Sequence, residues 1–89
     1  MTKKFEQLSE ILKALAHPAR LQIVAGLLKD ECNVSQIQRT LRLPQSTISQ
    51  HLRILKNGGI IKGRTEGTKR CYSVVDKRVK EIIKVVEKK

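Results

Sequence analysis

Ser46, Thr47, Ser49, Gln50 and Arg53 crowd into the segment QSTISQHLR, residues 45–53. Small hydroxyls, an amide and a guanidinium at such density can hydrogen-bond the edges of base pairs. Gln pairs bidentately with adenine, hydroxyls serve either base type, and the Thr methyl can meet the methyl of thymine. Their spacing suits the task. Ile48, Leu52 and Leu55 recur at helical intervals, so turning that stripe inward places Ser46, Gln50 and Arg53 on the opposite side, with Thr47 and Ser49 on the flanks. Any amphipathic surface helix has a polar outer face, so the pattern draws its meaning from the rest of the chain.

Charge supplies that context. The net charge is +11, and residues 39–70 carry most of it: Arg39, Arg42, Arg53, Lys56, Lys62, Arg64, Lys69 and Arg70 against the single acid Glu66. A field this one-sided calls for a polyanion. A membrane-surface helix would set exposed aromatic or Leu side chains against its basic face, and single-strand binding stacks bases on aromatic rings. With one Phe, one Tyr and no Trp, the chain fits neither, which leaves duplex DNA.

The elements that must hold this face can be read from periodicity. Val34, Ile37 and Leu41 mark a short helix ahead of it, and Leu43-Pro44 separates the two, so residues 33–59 form a helix-turn-helix. Upstream, Phe5, Leu8, Ile11, Leu12 and Leu15 predict a first helix over about residues 4–16. His17-Pro18 interrupts it, and Pro18 opens a second helix to Lys29 with Leu21, Val24, Leu27 and Leu28 inward. Downstream, Gly58-Gly59 ends the recognition helix. IIKGRTEGTKRCYSVV then reads as two short strands turning around residues 64–67, a basic hairpin whose Lys62, Arg64, Lys69 and Arg70 would clamp flanking phosphates. Asp76 caps a last helix with Val79, Ile82, Ile83 and Val86 as its stripe. The expected fold is mainly α with a small β-hairpin: a single winged helix-turn-helix domain over residues 1–89, of about five helices and a two-stranded wing.

At 89 residues the chain buries little surface as a monomer. Apolar stripes on the first and last helices predict a two-fold homodimer interface there. The start MTKKFEQL lacks the apolar run of a signal peptide, and no stretch approaches a membrane span, which points to a soluble protein in the reducing cytoplasm. Cys32 and Cys71 are too few for a disulfide scaffold. Packing alone would account for Cys71 as a small buried hydrophobe. The alternative is a redox pair, which requires Cα atoms within about 7 Å of each other.

The segments ALAHPARLQIVAGLL, VSQIQRTLRLPQSTISQHLRILKNGGII and KGRTEGTKRCYSV resemble the ArsR/SmtB family of winged-helix repressors over nearly the whole chain. That resemblance implies a homodimer on an inverted-repeat operator, with recognition helices in successive major grooves about 34 to 36 Å apart. By position it assigns base contacts to Gln45, Ser46, Thr47, Ser49, Gln50 and His51, and backbone contacts to Arg64 and its wing neighbours. His51 lies on the edge of the apolar stripe, where a packed histidine competes with a base reader. The match breaks at the family's metal sites. Asn33, Val34 and Ser35 stand where many members have Cys-X-Cys, and the last helix has no His. No cofactor is expected, and no metal at either of these sites, although other members place metal sites elsewhere; the inducer is left open. Nor do two histidines, two separated cysteines and scattered acids make an enzyme. The competing readings are a winged-helix protein-interaction module and a nonspecific DNA binder.

Overall fold

A computed structural model describes residues 2–88. Among them lie five helices, α1 (Lys3–Leu15), α2 (Pro18–Lys29), α3 (Val34–Leu41), α4 (Gln45–Asn57) and α5 (Lys77–Glu87), with strands β1 (Ile61–Glu66) and β2 (Lys69–Val74) between α4 and α5. The expected architecture is present. No single helix among the described residues is long and apolar enough to cross a membrane.

α2 is the central helix: Ile23, Val24 and Leu27 are buried against Ile37 of α3, Leu52 and Leu55 of α4, Ile60 and Ile61 at the start of the wing, and Val79 and Ile83 of α5. The sequence reading missed Ile23 and placed Leu28 inward, yet Leu28 is exposed. Because neighbours surround α2 on several sides, a single-stripe reading misplaces its edges.

The junction at AHPAR is built by its polar atoms. His17 Nδ1 accepts from the Ala19 N–H at 3.1 Å and caps α2, with Pro18 in the first turn where its missing N–H costs nothing. Arg20 Nε donates to the Ala14 carbonyl at 2.5 Å, tying α2 to the end of α1.

Two glycines make the turns that aim the wing. Gly59 has φ +74, and its N–H donates to the Lys56 carbonyl while Ile60 N–H reaches the Leu55 carbonyl, the paired bonds of a Schellman stop. Gly67, at φ +60, opens a two-residue turn, so the hairpin turns at Gly67-Thr68 and the strands are longer than expected. Arg64 is therefore not at the tip. It sits within β1, opposite Cys71.

Candidate nucleic-acid interface

α4 presents the face that its spacing predicts. Ile48, Leu52 and Leu55 are buried, Gln45, Ser46, Ser49, Gln50 and Arg53 are exposed, and Thr47 is half-buried. Pro44 caps α4 without a side-chain hydrogen bond, and its carbonyl receives the N–H groups of Thr47 and Ile48 at 3.0 and 3.1 Å. No acidic side chain lies in the first turn of α4, so the positive end of the helix dipole is not neutralised there. Arg42, with φ 56 in the left-handed region, makes the turn from α3.

Between α3, the start of α4 and the wing runs an open groove of about 550 Å³, lined in part by Ser35, Arg39, Gln45, Ser49, Lys69 and Arg70. The hydroxyl and amide groups of the helix and the cations of the hairpin thus face a common space. Neither Lys69 nor Arg70 forms an ion pair among the described residues. Arg70 lies over the Tyr72 ring at 5.6 Å and donates to the Thr65 hydroxyl at 3.3 Å, which holds the guanidinium on the wing surface.

Two of the expected contact residues are placed otherwise. His51 is buried at 8% exposure, its ring 4.6 Å from that of His17 and its Nδ1 3.4 Å from Arg20 Nη1. It belongs to the weld between α1, α2 and α4, and is withdrawn from the reading face. Burial, followed by the charges of His17 and Arg20, holds its imidazole below the ordinary histidine range. As the pH falls, the unfolded chain therefore takes up this proton before the folded one does. His51 costs nothing at high pH and removes stability as the pH drops below about 6.5. Asp76 acts in the same direction: hydrogen bonds from the Arg78 side chain, then from the Arg78 and Val79 backbone, hold its carboxylate low against the opposing effect of burial. Its contribution is present above the ordinary carboxylate range and is lost in acid. His51→Leu should accordingly flatten the fall in urea midpoint between about pH 7 and about pH 5. An unchanged slope would show that this histidine does not carry the effect.

Arg64 is the second. Its Nη1 is 2.7 Å from the Glu31 carboxylate and 2.7 Å from the Ser73 hydroxyl, and Nε and Nη2 lie 2.8 and 2.6 Å from Glu66 Oε2. Two carboxylates and a hydroxyl already occupy the guanidinium expected on a phosphate. Arg64 instead bridges the wing to the turn after α2, leaving Lys62, Lys69 and Arg70 as exposed wing cations without an ion pair among the described residues. Sequence could not show this, because Glu31 lies far upstream and Arg64 reaches it only through the hairpin register.

The same seam joins the cysteines. Cys32 and Cys71 are disulfide-bonded with Cα atoms 4.2 Å apart, and Cys71 is fully buried. The expectation of burial is met for Cys71, but packing alone does not describe it: the two are a covalent pair. Glu66 joins them as a group of three metal-type ligands, but both sulfurs are spent on each other.

Comparison with known proteins places this arrangement. Residues 17–62, from the His17 cap to the base of the wing, match the family model described as bacterial regulatory protein, arsR family. An uncharacterized HTH-type transcriptional regulator of Methanocaldococcus jannaschii is 49% identical over 86 residues, covering 96% of this chain and 97% of its own. The chain belongs to the ArsR family of transcriptional regulators. Among solved ArsR-like folds, the transcriptional repressor PagR of Bacillus anthracis superposes with TM-score 0.80 at 42% identity, over 93% of this chain and 95% of that one. A homodimeric winged helix-turn-helix DNA-binding domain from Mycobacterium bovis gives TM-score 0.78 at 32% identity, over 93% and 77%. Within this ArsR-family chain, the matched segment contains both the exposed polar face of α4 and the His17–Arg20–His51 weld behind it.

Proposed function

We propose that this ArsR-family regulator is a cytoplasmic, homodimeric repressor that reads an inverted-repeat operator in duplex DNA through α4 and holds the flanking backbone through the wing. One observation carries the reading: Gln45 and Ser49 of α4, on a face that also exposes Ser46, Gln50 and Arg53, line one groove with Lys69 and Arg70 of the wing, which form no ion pair among the described residues. The kinship with PagR, named as a repressor, supports the sign of the regulation. The homodimeric M. bovis domain supports the assembly. In this chain Phe5 and Leu12 on α1, and Val85 and Val86 on α5, are 51–71% exposed, so both terminal helices retain apolar surface for a second copy.

A protein-binding wing or recognition helix would display apolar anchors. The exposed large hydrophobic residue of α4 is Ile54, and it lines a different groove, beside Gln7 and Ile11 of α1 and Arg78 of α5.

Gln50→Ala tests base reading. It should weaken binding to the operator by about 1 to 3 kcal/mol more than binding to scrambled duplex, as measured by fluorescence anisotropy. Equal losses on both would remove Gln50 from base recognition. Lys69→Ala should weaken both duplexes alike and lower the slope of log K against log salt by about one. Arg64→Ala, with its guanidinium already engaged by Glu31 and Glu66, should not reproduce that clean slope change.

A further inference from the structure

The disulfide lies where the DNA-facing parts join. Cys32 is in the turn between α2 and α3, and Cys71 is on β2, immediately after Lys69 and Arg70. Cys32 also lines the groove that Gln45, Ser49, Lys69 and Arg70 share. The turn before α3 carries one local hydrogen bond, from the Cys32 N–H to Asp30 Oδ1 at 3.0 Å, and α3 itself starts without a side-chain cap. Asn33, its capping residue, makes no side-chain capping bond, and its Oδ1 is buried without a hydrogen-bond partner. What holds the turn to the wing is the seam: the disulfide, the Tyr72 N–H to Glu31 carbonyl bond at 2.8 Å and the Arg64–Glu31 ion pair.

We propose that Cys32–Cys71 is a reversible thiol–disulfide site that sets operator affinity, with the oxidised form the tighter binder. The inference rests on the DNA-binding function proposed above. Oxidised, the staple makes the wing cations and the helix-turn-helix one preorganised surface, so less order must be imposed when DNA binds. Reduced, the seam between the turn and β2 keeps the neighbouring hydrogen bond, the ion pair and the core packing of Tyr72, but no covalent tie.

The partner chemistry is a dithiol reductant. Its first thiolate attacks Cys32, the accessible sulfur of the pair, because Cys71 has no exposed surface. The intramolecular S–S bond breaks, a mixed disulfide forms on Cys32, and Cys71 leaves as a thiolate that takes a proton. The second thiol of the reductant then displaces Cys32, giving two protein thiols and an oxidised, disulfide reductant; two electrons pass to the protein. Glu66 Oε2, 3.9 Å from Cys32 Sγ, has no thiol proton to accept in the oxidised form, and on reduction it becomes the acceptor for the Cys32 S–H. A thiol oxidant such as diamide runs the change backwards, its N=N bond taking the two electrons and two protons to become a hydrazine as the S–S bond forms. A pair that opens and closes in this way is compatible with a reducing compartment, where a permanent structural disulfide is uncommon.

The test uses the full chain and duplexes enriched from a random library, with selection carried out separately on the diamide-oxidised and the dithiothreitol-reduced protein. Alkylation and intact mass report the thiol count in each state, and anisotropy reports affinity for the enriched and scrambled duplexes. The expected result is two thiols on reduction and an affinity for the enriched duplex about tenfold lower, restored by diamide. Cys32→Ser should bind at the reduced level in both conditions, with a circular dichroism spectrum matching that of the reduced wild type. Specific binding that is equal in both states overturns the switch and leaves the DNA-binding function standing. Tighter binding by the reduced form also overturns it. Failure of both states to enrich a sequence overturns both proposals, and the thiol count would still show whether the bond had opened.

Discussion

Replacing Val85 and Val86 together with glutamate is expected to leave a folded monomer whose operator affinity is lower by a hundredfold or more. The two valines are 71% and 63% exposed at the end of α5, so the change removes no core contact of the single chain. Acids in the last turn oppose the helix dipole, at a cost of about 0.3 to 1 kcal/mol, too little to unfold the domain. Their effect comes from placing charge on the face that the proposed dimer buries. In a dimer, occupation of the first half-site presents the second recognition helix at high effective concentration, which raises affinity by about 10² to 10⁴ over a single site. A monomer gives up that gain while its reading face stays intact. Sedimentation velocity and operator titration on the same preparation check the expectation. A variant that stays dimeric and binds normally would place the interface elsewhere.

Reduction of the disulfide is expected to lower the thermal midpoint by an amount on the order of 20 °C. Cys32 and Cys71 are separated by 39 residues, so the bond closes much of the helix-turn-helix and wing into one loop. Loop-closure entropy in the unfolded chain assigns such a cross-link about 4 kcal/mol, and each kcal/mol moves the midpoint of a domain this size by about 4 to 8 °C. The reduced chain should still fold, because Val24, Leu55 and Val79 are fully buried without help from either sulfur. Differential scanning calorimetry with and without reductant, with thiols counted in each sample, measures the effect. Coincident midpoints in samples that differ by two thiols would show that the bond does not constrain the unfolded chain.

Most of the fold was legible because its signals are local. The stripe of Ile48, Leu52 and Leu55 fixed the rotation of α4, Pro18 and Asp76 marked helix starts, and paired glycines ended α4. The exposed polar face of α4 followed from that rotation. What escaped the sequence depends on contacts between distant positions. Arg64 looked like a phosphate ligand because its carboxylate partner Glu31 lies in another element, brought near only when Arg64 pairs with Cys71 in the hairpin. His51 stood on the border of the apolar stripe, and burial was decided by Arg20 and His17 from α2 and its cap. The choice between a packed Cys71 and a cysteine pair stayed open for the same reason: only the hairpin register, set by the turn at Gly67, carries Cys71 to the end of α2.

The central claim is sequence-specific binding to duplex DNA by α4 and the wing. It is tested most directly by titrating one library-enriched duplex and its scrambled counterpart with the oxidised protein at two salt concentrations. The account predicts that the enriched duplex binds tighter by about 10³-fold or more, while both weaken steeply as salt rises. Equal affinity for the two duplexes at both salts would contradict it and leave a basic protein that holds DNA without reading it.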